Sequence, residues 1–421
     1  MRNANLYGFL PQNDAYTNSK VLQELVDLGG DIVVEKPGVY DLSETITIGD
    51  NTTLKFAKGV QIRRQPSKTG RNGIAFINKG ALTHTYNRNI TIVGLHLDCN
   101  GVESKDWATD GIMVGLRAQI GMIYINDLVI EYFECIGGMK KDYGIQISAF
   151  ENIKLENLYI EGDRDGVHLG WGRNFVIRHG RFCTFDDPIA LNAYDYVTSN
   201  THVGWIENGI VEDCYDFDAD STTGFFCRFL GGAWCDWYEG IKVQHSDTVV
   251  SAGRVYRVLA KPDGNVYTSM TPPTHKSGTE DYNGIKWVCV RDEAIYDCGC
   301  RNVLLRDIHL RKKRDSALGI SLNQDVYANS YYPGCKTIPQ ENITLERIYV
   351  ENTVKNLLYS NYPANNIKIK NTDMKESRVY FRFTKIDGFV YPVSDLVLEN
   401  VQRAEGSIMA DEGHPYRVTQ Q

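Results

Sequence analysis

The chain has no long apolar run. Among its 421 residues, 42% are hydrophobic and 23% are charged, but no stretch approaches the roughly 18 to 20 apolar residues that a membrane-spanning helix needs. The first residues, Met1-Arg2-Asn3-Ala4-Asn5, lack the basic segment and apolar core of a secretory signal. We therefore expect a water-soluble chain that has no membrane partner and no signal peptide in this sequence.

The chain also has no excess of basic residues. Its formal net charge is −8, whereas nucleic acids and anionic membranes are bound through basic surfaces. The one basic cluster, Arg311-Lys312-Lys313-Arg314, is too short to reverse this balance. We expect it to be a solvated face of one structural repeat, and the sequence predicts no nucleic-acid partner.

The cysteines lack metal-binding spacing. No Cys-x-x-Cys pair occurs, so the sequence predicts no metal site through sulfur and no cofactor. Several cysteines lie in apolar, strand-like runs, where cysteine acts as a small buried hydrophobe. We expect mostly reduced thiols, which suit synthesis in a reducing compartment. The ten positions are Cys99, Cys135, Cys183, Cys214, Cys227, Cys235, Cys289, Cys298, Cys300 and Cys335.

What the sequence does contain is a repeated unit, Asn-x-apolar-x-apolar, often followed by a second short alternating run. Apolar residues at every second position, bounded by Asn, Asp and Gly, indicate short strands. The closest copies lie about 22 residues apart, which predicts an all-β, right-handed parallel β-helix. Asn at the head of each unit suits a stacked turn. The copies begin at Asn89, Asn152, Asn174, Asn302, Asn342 and Asn366.

Two segments depart from this repeat. Residues 18–28 predict a helix that is capped by Ser19, carries an apolar face ending at Leu28 and stops at Gly29-Gly30; it would cover the open end of the first coil. Residues 234–292 contain two strand signals around a proline-bearing connection, which predicts a small antiparallel β insertion. We therefore expect one β-helix domain formed by residues 1–233 and 293–421, with the insertion at 234–292.

Three aspartates stand at the heads of apolar strands. Asp165 precedes Val-His-Leu, and the pair Asp186-Asp187 precedes Pro-Ile-Ala-Leu. These acids are 21 and 22 residues apart, so a β-helix would stack them in neighbouring coils. Strands in register lie about 4.8 Å apart, and like charges facing each other across a ladder are destabilising. A carboxylate cluster that lowers stability is a candidate for chemistry.

This stretch resembles the polygalacturonase-like glycoside hydrolases of the pectin-lyase-like β-helix superfamily. Asp163-Arg164-Asp165-Gly166 is similar to that family's Asn-Thr-Asp-Gly, and Asp186-Asp187 to its Asp-Asp pair. The resemblance implies that Asp186 is a general acid and that Asp165 and Asp187 activate water for inverting hydrolysis. Glycosidic cleavage itself needs one protonated and one ionised carboxyl group, and crowded like charges provide that difference.

Two further family motifs are altered. Thr223 takes the place of the histidine in the family's His-Gly, and the strand Gly319-Ile320-Ser321-Leu322-Asn323 offers Ser321 and Asn323 where Arg-x-Lys is expected. By the resemblance, those missing cations hold a substrate carboxylate. We therefore expect a neutral or differently charged sugar rather than galacturonate.

Strand alternation supplies substrate-binding candidates. If Val167 and Leu169 point inward, His168 points outward beside the acids, where it binds sugar hydroxyls or assists proton transfer. Asn192 and Arg228 are expected in equivalent outward positions. Arg228 either clamps an acidic substituent or forms a structural ion pair with Asp187.

Two aromatic residues, Trp171 and Tyr194, lie close to the acids in sequence and are candidates for stacking on sugar faces. With 25 tyrosines in the chain, packing is the alternative role for Tyr194.

Other functions remain open at this point. The three acids could instead be structural turn residues or bind calcium, which takes six to eight oxygen ligands. A polysaccharide lyase would use His168 and Arg228 as base and cation. A non-catalytic glycan-binding β-helix, such as a phage receptor-binding spike, is a further alternative, and a spike would imply a trimer and a virion location. For the hydrolase we expect a polysaccharide partner and an extracellular or periplasmic site of action.

Overall fold

The protein is a right-handed parallel β-helix, as the repeat predicted. The computed structural model describes residues 1–68, 73–104, 113–138, 141–217, 223–386 and 388–421. In this part of the chain, 27 strands form one continuous system whose neighbours pair in parallel. No helix in these ranges is long and apolar enough to cross a membrane.

The strands of the coils follow one another along the chain. The first group comprises Arg2–Asn3, Gly30–Val34, Gly38–Leu42, Ile46–Ile48, Thr52–Phe56, Val60–Arg64, Phe76–Asn78, Asn87–Val93 and His96–Asp98. The central group comprises Ala118–Ile136, Tyr143–Gly162, Val167–Leu169, Gly172–Arg178, Arg181–Thr184, Ile189–Asn192, Ile206–Asp216 and Cys227–Leu230. The last group comprises Cys300–Leu310, Arg314–Ser321, Gln340–Val350, Val354–Ser360, Ala364–Asn365, Ile367–Asp373, Arg378–Phe381, Ser394–Gln402, Ile408–Ala410 and Tyr416–Gln420.

Register between coils is set by stacked apolar residues. Val167 pairs with Ile145 in the coil before it and with Ile189 in the coil after it, and Ile189 pairs in turn with Cys227. All four side chains are buried in one continuous core that runs along the helix axis. A slip by one residue would turn every inward side chain to the outside, so the buried column fixes the register strongly.

A ladder of asparagines runs along one corner of the coils. Each Asn side chain donates from its Nδ2 to the Oδ1 of its counterpart in the preceding coil, for example Asn174 to Asn152 at 3.1 Å and Asn208 to Asn174 at 3.2 Å. The backbone at these residues is left-handed, with φ near +60°, which Asn adopts more readily than most residues. The predicted turn stack is confirmed. The rungs extend through Asn302, Asn342 and Asn366.

The predicted helix at the amino-terminal end is present but begins earlier. It spans Ala15–Asp27, and Asp14 is the N-cap, accepting hydrogen bonds from two backbone amides. The prediction that Ser19 is the cap was wrong: Ser19 lies within the helix, where its hydroxyl donates to the carbonyl of Ala15. The helix packs on the strands of the first coil. Leu28 was assigned to the apolar face but is 63% exposed.

Two short helical turns complete this end of the molecule, a 3-10 turn at Ala4–Tyr7 and an α-helical turn at Lys79–Thr83.

A separate sheet projects where the insertion was predicted. Its strands are Cys235–Asp236, Thr248–Ser251, Arg254–Val258, Ile285–Arg291 and Thr279–Tyr282, with accessory pairs of Ile241–Val243 with Tyr267–Ser269 and of Gly232–Ala233 with Asp297–Cys298. The pairing within this sheet is largely antiparallel, and it has its own apolar cluster around Trp287. We propose that residues 234–292 form a distinct structural unit.

All ten cysteines are free, which confirms the prediction of thiols without a disulfide framework. Six of them are buried. The sulfur atoms of Cys99 and Cys135, which lie in neighbouring coils, are 3.6 Å apart.

The asparagine ladder leads to a stability prediction. Asn174→Ala removes two side-chain hydrogen bonds and leaves a Cβ-bearing residue in left-handed backbone, so we expect the free energy of unfolding to fall by about 1–3 kcal/mol. Asn174→Gly removes the same bonds without that steric conflict and should destabilise less. Denaturant unfolding measures both variants. If both leave the midpoint unchanged, the ladder does not contribute to stability.

Candidate active site

The structure brings the three predicted aspartates together. Asp165 lies just before the strand Val167–Leu169, and Asp186 and Asp187 lie just before the strand Ile189–Asn192. These two strands pair in parallel. One carboxylate oxygen from each residue lies within 4.8 Å of the others. Asp165 and Asp187 are buried, whereas the Asp186 side chain is 27% exposed. Asp186 is therefore the member of the cluster that a ligand can reach.

Burial dominates the electrostatics of the two inner carboxyl groups. It raises the pKa of Asp165 well above its usual range, and the neighbouring Asp186 carboxylate raises it further. The pKa of Asp187 is also raised, again chiefly by burial, although the guanidinium of Arg228 offsets part of that effect. Perturbed carboxyl groups that share one site are typical of acid–base chemistry.

Arg228 is committed to the protein itself. Its Nε lies 3.0 Å from Asp187 Oδ2 and its Nη2 lies 3.5 Å from Asp195 Oδ2. Burial on its own would lower the pKa of Arg228, but these two carboxylates raise it above its ordinary value. Asn192 completes the network by donating to Asp195 at 2.8 Å. Arg228 and Asn192 thus lie beside the acids, and the structural ion pair of Arg228 with Asp187, one of its two predicted roles, is present.

Asp187 has a second anchor. Its Oδ1 accepts a hydrogen bond from the backbone amide of Phe225 at 2.6 Å, whereas its Oδ2 faces Arg228 as an ion pair without a hydrogen bond among the described residues. Thr223, which stands in the place of the family's histidine, hydrogen-bonds through its hydroxyl to the carbonyl of Phe185 at 3.2 Å. The side chain of Thr223 therefore supports the turn that carries the Asp pair.

His168 lies beside the acids but is closed to solvent. Its Nδ1 is 2.8 Å from Asp165 Oδ2, and its ring stacks on Tyr143 at a centroid distance of 4.4 Å. Burial lowers the pKa of His168 to about 4, so the ring is neutral at pH 7. Its Nε2 has no partner among the described residues, which assigns the proton to Nδ1, where Asp165 accepts it.

The cover over His168 was not foreseen from the sequence. The segment after Asn192 returns across the strands, where Ser199 accepts hydrogen bonds from Tyr143 and from Gln146, the residue paired with His168. Asn200 lies against Gly170. The prediction that His168 faces outward is correct for its strand position, but the expected contact with sugar hydroxyls does not fit its complete burial.

The two aromatic candidates lie away from the acids. Tyr194 is buried, with its hydroxyl bonded to the carbonyls of Ser246 and Asn329 at 2.6 and 2.7 Å. It packs where the insertion joins the coils, and stacking on a sugar does not fit that position. Trp171 is half-buried beyond the other end of the strand Val167–Leu169, with the guanidinium of Arg291 over its ring at 3.8 Å.

The basic cluster was also interpreted wrongly. Lys312 and Arg314 are buried, whereas their neighbours Arg311 and Lys313 are exposed. Lys312 donates to the carbonyl of Thr184 at 2.7 Å, and Arg314 forms a fully buried ion pair with Asp216 at 2.5 Å. Residues 311–313 connect two strands of the coil, and within this connection Lys312 turns inward to the carbonyls of Thr184 and Phe185 while Arg311 and Lys313 face solvent.

These two cations hold the turn that carries the acids. Lys312 reaches the backbone of the residues just before Asp186, and Arg314 donates to the carbonyl of Thr223 at 2.8 Å and to that of Asp186 at 3.5 Å. The Asp186-Asp187 turn is therefore held by hydrogen bonds from residues more than one hundred positions away in the sequence.

An open cleft of about 300 Å³ adjoins the cluster on the side of the later coils. Ser321 and Asn323 line it, in agreement with the prediction that this strand faces the site. Sequence reasoning missed Tyr359 and Arg382, which line it as well. The strand register contained the signal for Tyr359, because Tyr359 pairs with Gly319 and Gly319 pairs with Arg228.

The cluster also has the composition of a cation site, since three carboxylate oxygens converge. Calcium requires six to eight oxygen ligands, and Arg228 already neutralises Asp187. The residues present thus supply at most half of a calcium shell, and we derive no chemistry from a metal here.

No protein-family model matches the chain, and no curated protein matches its sequence. Solved structures do share the fold. The polygalacturonase from Erwinia carotovora ssp. carotovora is 9% identical, with a TM-score of 0.50 and coverage of 96% of this chain and 95% of that one. The mannuronan C-5 epimerase AlgE6 A-module of Azotobacter vinelandii is 11% identical, with a TM-score of 0.48 and 99% of each chain covered.

A surface adhesin of Streptococcus pneumoniae, PfbA, is 12% identical, with a TM-score of 0.43 and coverage of 100% of this chain and 92% of that one. Identities this low establish the fold alone.

The buried ion pair gives a sharp test of the scaffold. Arg314→Met leaves Asp216 buried without its partner, so we expect a loss of about 3–5 kcal/mol in the free energy of unfolding. The matched control is Lys313→Met, an exposed neighbour in the same run, which should change stability by less than about 0.5 kcal/mol. Combining Arg314→Met with Asp216→Leu should recover much of the loss. Equal unfolding midpoints for the two single variants would contradict this account.

His168 gives a pH prediction. Below pH 6.5 the unfolded chain protonates this histidine, whereas the folded protein resists protonation until about pH 4. The contribution of His168 to the free energy of unfolding is thus fully present above pH 6.5. It falls by up to about 3 kcal/mol as the pH decreases towards 4. His168→Gln should flatten the stability curve by that amount in this interval. Curves of wild type and variant that run parallel from pH 6.5 to 4 would refute it.

Proposed function

We propose that the protein is a glycoside hydrolase that cleaves a polysaccharide at the three-aspartate site. The observation that carries this proposal is the asymmetry of the cluster. Three carboxyl groups converge within 4.8 Å, and of the three only Asp186 keeps a partly exposed side chain, at 27%. Stability alone does not favour such a group of like charges, whereas hydrolysis of a glycosidic bond requires carboxyl groups in different protonation states.

In this proposal Asp186 is the general acid that protonates the leaving oxygen of the glycosidic bond. Its backbone is held by Arg314, and its carboxylate lies 3.7 Å from the guanidinium of Arg164. Asp165 and Asp187 hold and activate the attacking water, which requires one of them to be ionised. Burial raises the pKa of both and so makes the ionised one a stronger base, and contacts with His168 and Arg228 fix their orientation.

The inverting course rests on accessibility. A retaining enzyme needs a carboxylate that forms a bond to the sugar, and two of the three carboxylates are too deeply buried to contact one. A water molecule is small enough to be held between them and the cleft. The facing carboxylate oxygens lie no more than 4.8 Å apart, closer than the roughly 6.5–9.5 Å carboxyl separation of most inverting enzymes. Determining the anomeric configuration of the first product therefore tests directly whether hydrolysis proceeds with inversion.

The substrate class follows from the cleft. Ser321 and Asn323 offer uncharged hydrogen-bonding groups, Tyr359 offers an aromatic ring, and Arg228 and Arg382 are the cations of the lining. A polysaccharide fits this mixture, and a site of action outside the cell suits a polymeric substrate. Ser321 and Asn323 stand where the family resemblance would place a pair of cations for galacturonate, and Arg228 is engaged by Asp187 and Asp195.

Two alternatives make different predictions. A non-catalytic glycan-binding β-helix, including a trimeric phage spike, is favoured by the ion pair between Arg228 and Asp187, because that pair makes a structural role for Asp187 sufficient. A polysaccharide lyase is weakened by the burial of His168, which offers no accessible base.

The deciding experiment compares wild type with Asp186→Asn on a panel of neutral and acidic polysaccharides. We expect the wild type to release reducing ends without ultraviolet-absorbing unsaturated products, and the variant to lose about a hundredfold or more in rate because the acid is removed. Asp31→Asn, an exposed aspartate of the first coil, is the matched control and should keep full activity.

The outcomes separate the candidates. Ultraviolet-absorbing products would identify a lyase. Binding without turnover, unchanged by Asp186→Asn, would identify a binding protein. Turnover that survives in Asp186→Asn would show that another residue is the acid. Proton NMR of the earliest product distinguishes inversion from retention.

A further inference from the structure

A second cavity lies beyond the opposite end of the strand that follows Asp165. Its volume is about 400 Å³. The residues that shape it come from five coils and from the last strand of the insertion. Those used below are Tyr86, Asn126, Glu151, Trp171, Arg173, Glu207 and Arg291.

Aromatic rings form part of its wall. Tyr86 is 43% exposed and packs edge-on against Tyr124 at a centroid distance of 5.6 Å. Trp171 is half-buried and carries the Arg291 guanidinium on one face at 3.8 Å. Aromatic faces with a polar rim pack against the C–H surfaces of sugar rings while their neighbours bond to hydroxyls.

The charged side chains that line the cavity are all ion-paired. Arg173 bonds to Glu151, another lining residue, at 2.9 and 3.1 Å. Glu207 pairs with Arg301 at 2.5 Å and Arg291 with Glu293 at 3.3 Å, and these two partners lie outside the lining. The lining therefore has no large excess of either sign, which fits an uncharged ligand rather than an anion or a cation. Ion-paired side chains still have unused donors and acceptors, and these suit hydroxyl groups.

Two polar atoms of lining residues have unused hydrogen-bonding capacity. Asn126 Oδ1 and Arg291 Nε are buried without a partner among the described residues. Buried polar atoms are normally satisfied, and an unsatisfied one calls for a role. An acceptor and a donor at the same cavity are the pair that a hydroxyl group, which both donates and accepts, is able to use.

This cavity is separate from the acid cluster. Asp165 and Trp171 are six positions apart, which in extended chain is up to about 20 Å. Between them, Ser199 and Asn200 lie over His168's neighbours Gln146 and Gly170. A ligand in the cavity would therefore be held apart from the three aspartates by a covering segment.

We propose that this cavity is a binding site for a neutral saccharide, formed jointly by the coils and the insertion. The site binds without cleaving, because none of the three aspartates reaches it. It goes beyond the proposed hydrolase activity and does not depend on it. The insertion gains a role through Arg291, which ends its last strand and covers Trp171.

The test uses full-length protein carrying Asp186→Asn, so that no probe is consumed. Neutral tetrasaccharides of glucose, xylose, mannose and galactose are titrated by calorimetry at concentrations up to about 10 mM, which detects millimolar affinity. We expect at least one of them to bind, and Tyr86→Ala to weaken that binding by about tenfold or more. Tyr16→Ala removes a tyrosine of equal exposure elsewhere and should leave binding unchanged.

Further variants keep the result decisive. Glu151→Gln preserves size and should also weaken this binding, while the component of binding that Tyr86→Ala removes should persist in Asn323→Ala, which alters only the cleft beside the acids. If no tetrasaccharide binds, if Tyr86→Ala binds as tightly as its parent, or if Asn323→Ala alone abolishes binding, the proposal is overturned. Preferential binding of acidic tetrasaccharides would also overturn it. Hydrolysis by the wild type is measured in a separate assay, so the proposed hydrolase activity and the proposed binding cavity can each be refuted without the other.

Discussion

Register between neighbouring coils is the constraint on which the rest of the molecule depends. The inward apolar column and the asparagine ladder set the same register independently, one from the core and one from a corner. Because Val167 must pair with Ile189, the residues before those strands are forced together whatever their charge. Asp165 therefore lies beside Asp186 and Asp187 as a consequence of the fold. The favourable free energy of stacking the coils offsets the repulsion among the three carboxylates.

The cations that balance this repulsion come from other coils. Arg228 reaches Asp187 from the following coil, and Arg314, one coil further on, holds the backbone of Asp186. Each is in turn paired with a second acid, Asp195 or Asp216. Buried charges in a low dielectric require such closed pairing. The site is thus one network that extends over several coils. We expect a substitution of any member to destabilise the side chains that it contacts.

Local repetition made the fold predictable. Asparagine-headed units, the spacing of about 22 residues and the interruption after residue 233 are all short-range features, and each corresponds to a structural element. The acids were predictable for the same reason. The ion pair of Arg228 with Asp187 was one of the two roles predicted for Arg228. The supports from Lys312 and Arg314 were not predictable, because these residues reach the turn of Asp186 across 128 residues and no periodicity links them. The cover over His168 comes from a long return segment without a repeat, so its path could not be inferred. Ser19 and Asp14 are both good caps, and tertiary contacts with the first coil decide between them.

The distribution of charge within the cluster separates the roles of the acids. Arg228 lies against Asp187, and the guanidinium of Arg164 lies 3.7 Å from Asp186. The neighbour of Asp165 is instead the neutral ring of His168, which is buried together with it, and this burial raises the pKa of Asp165. Asp186 keeps 27% of its side chain exposed. The three carboxyl groups thus differ in what surrounds them, and the proposed chemistry depends on that difference.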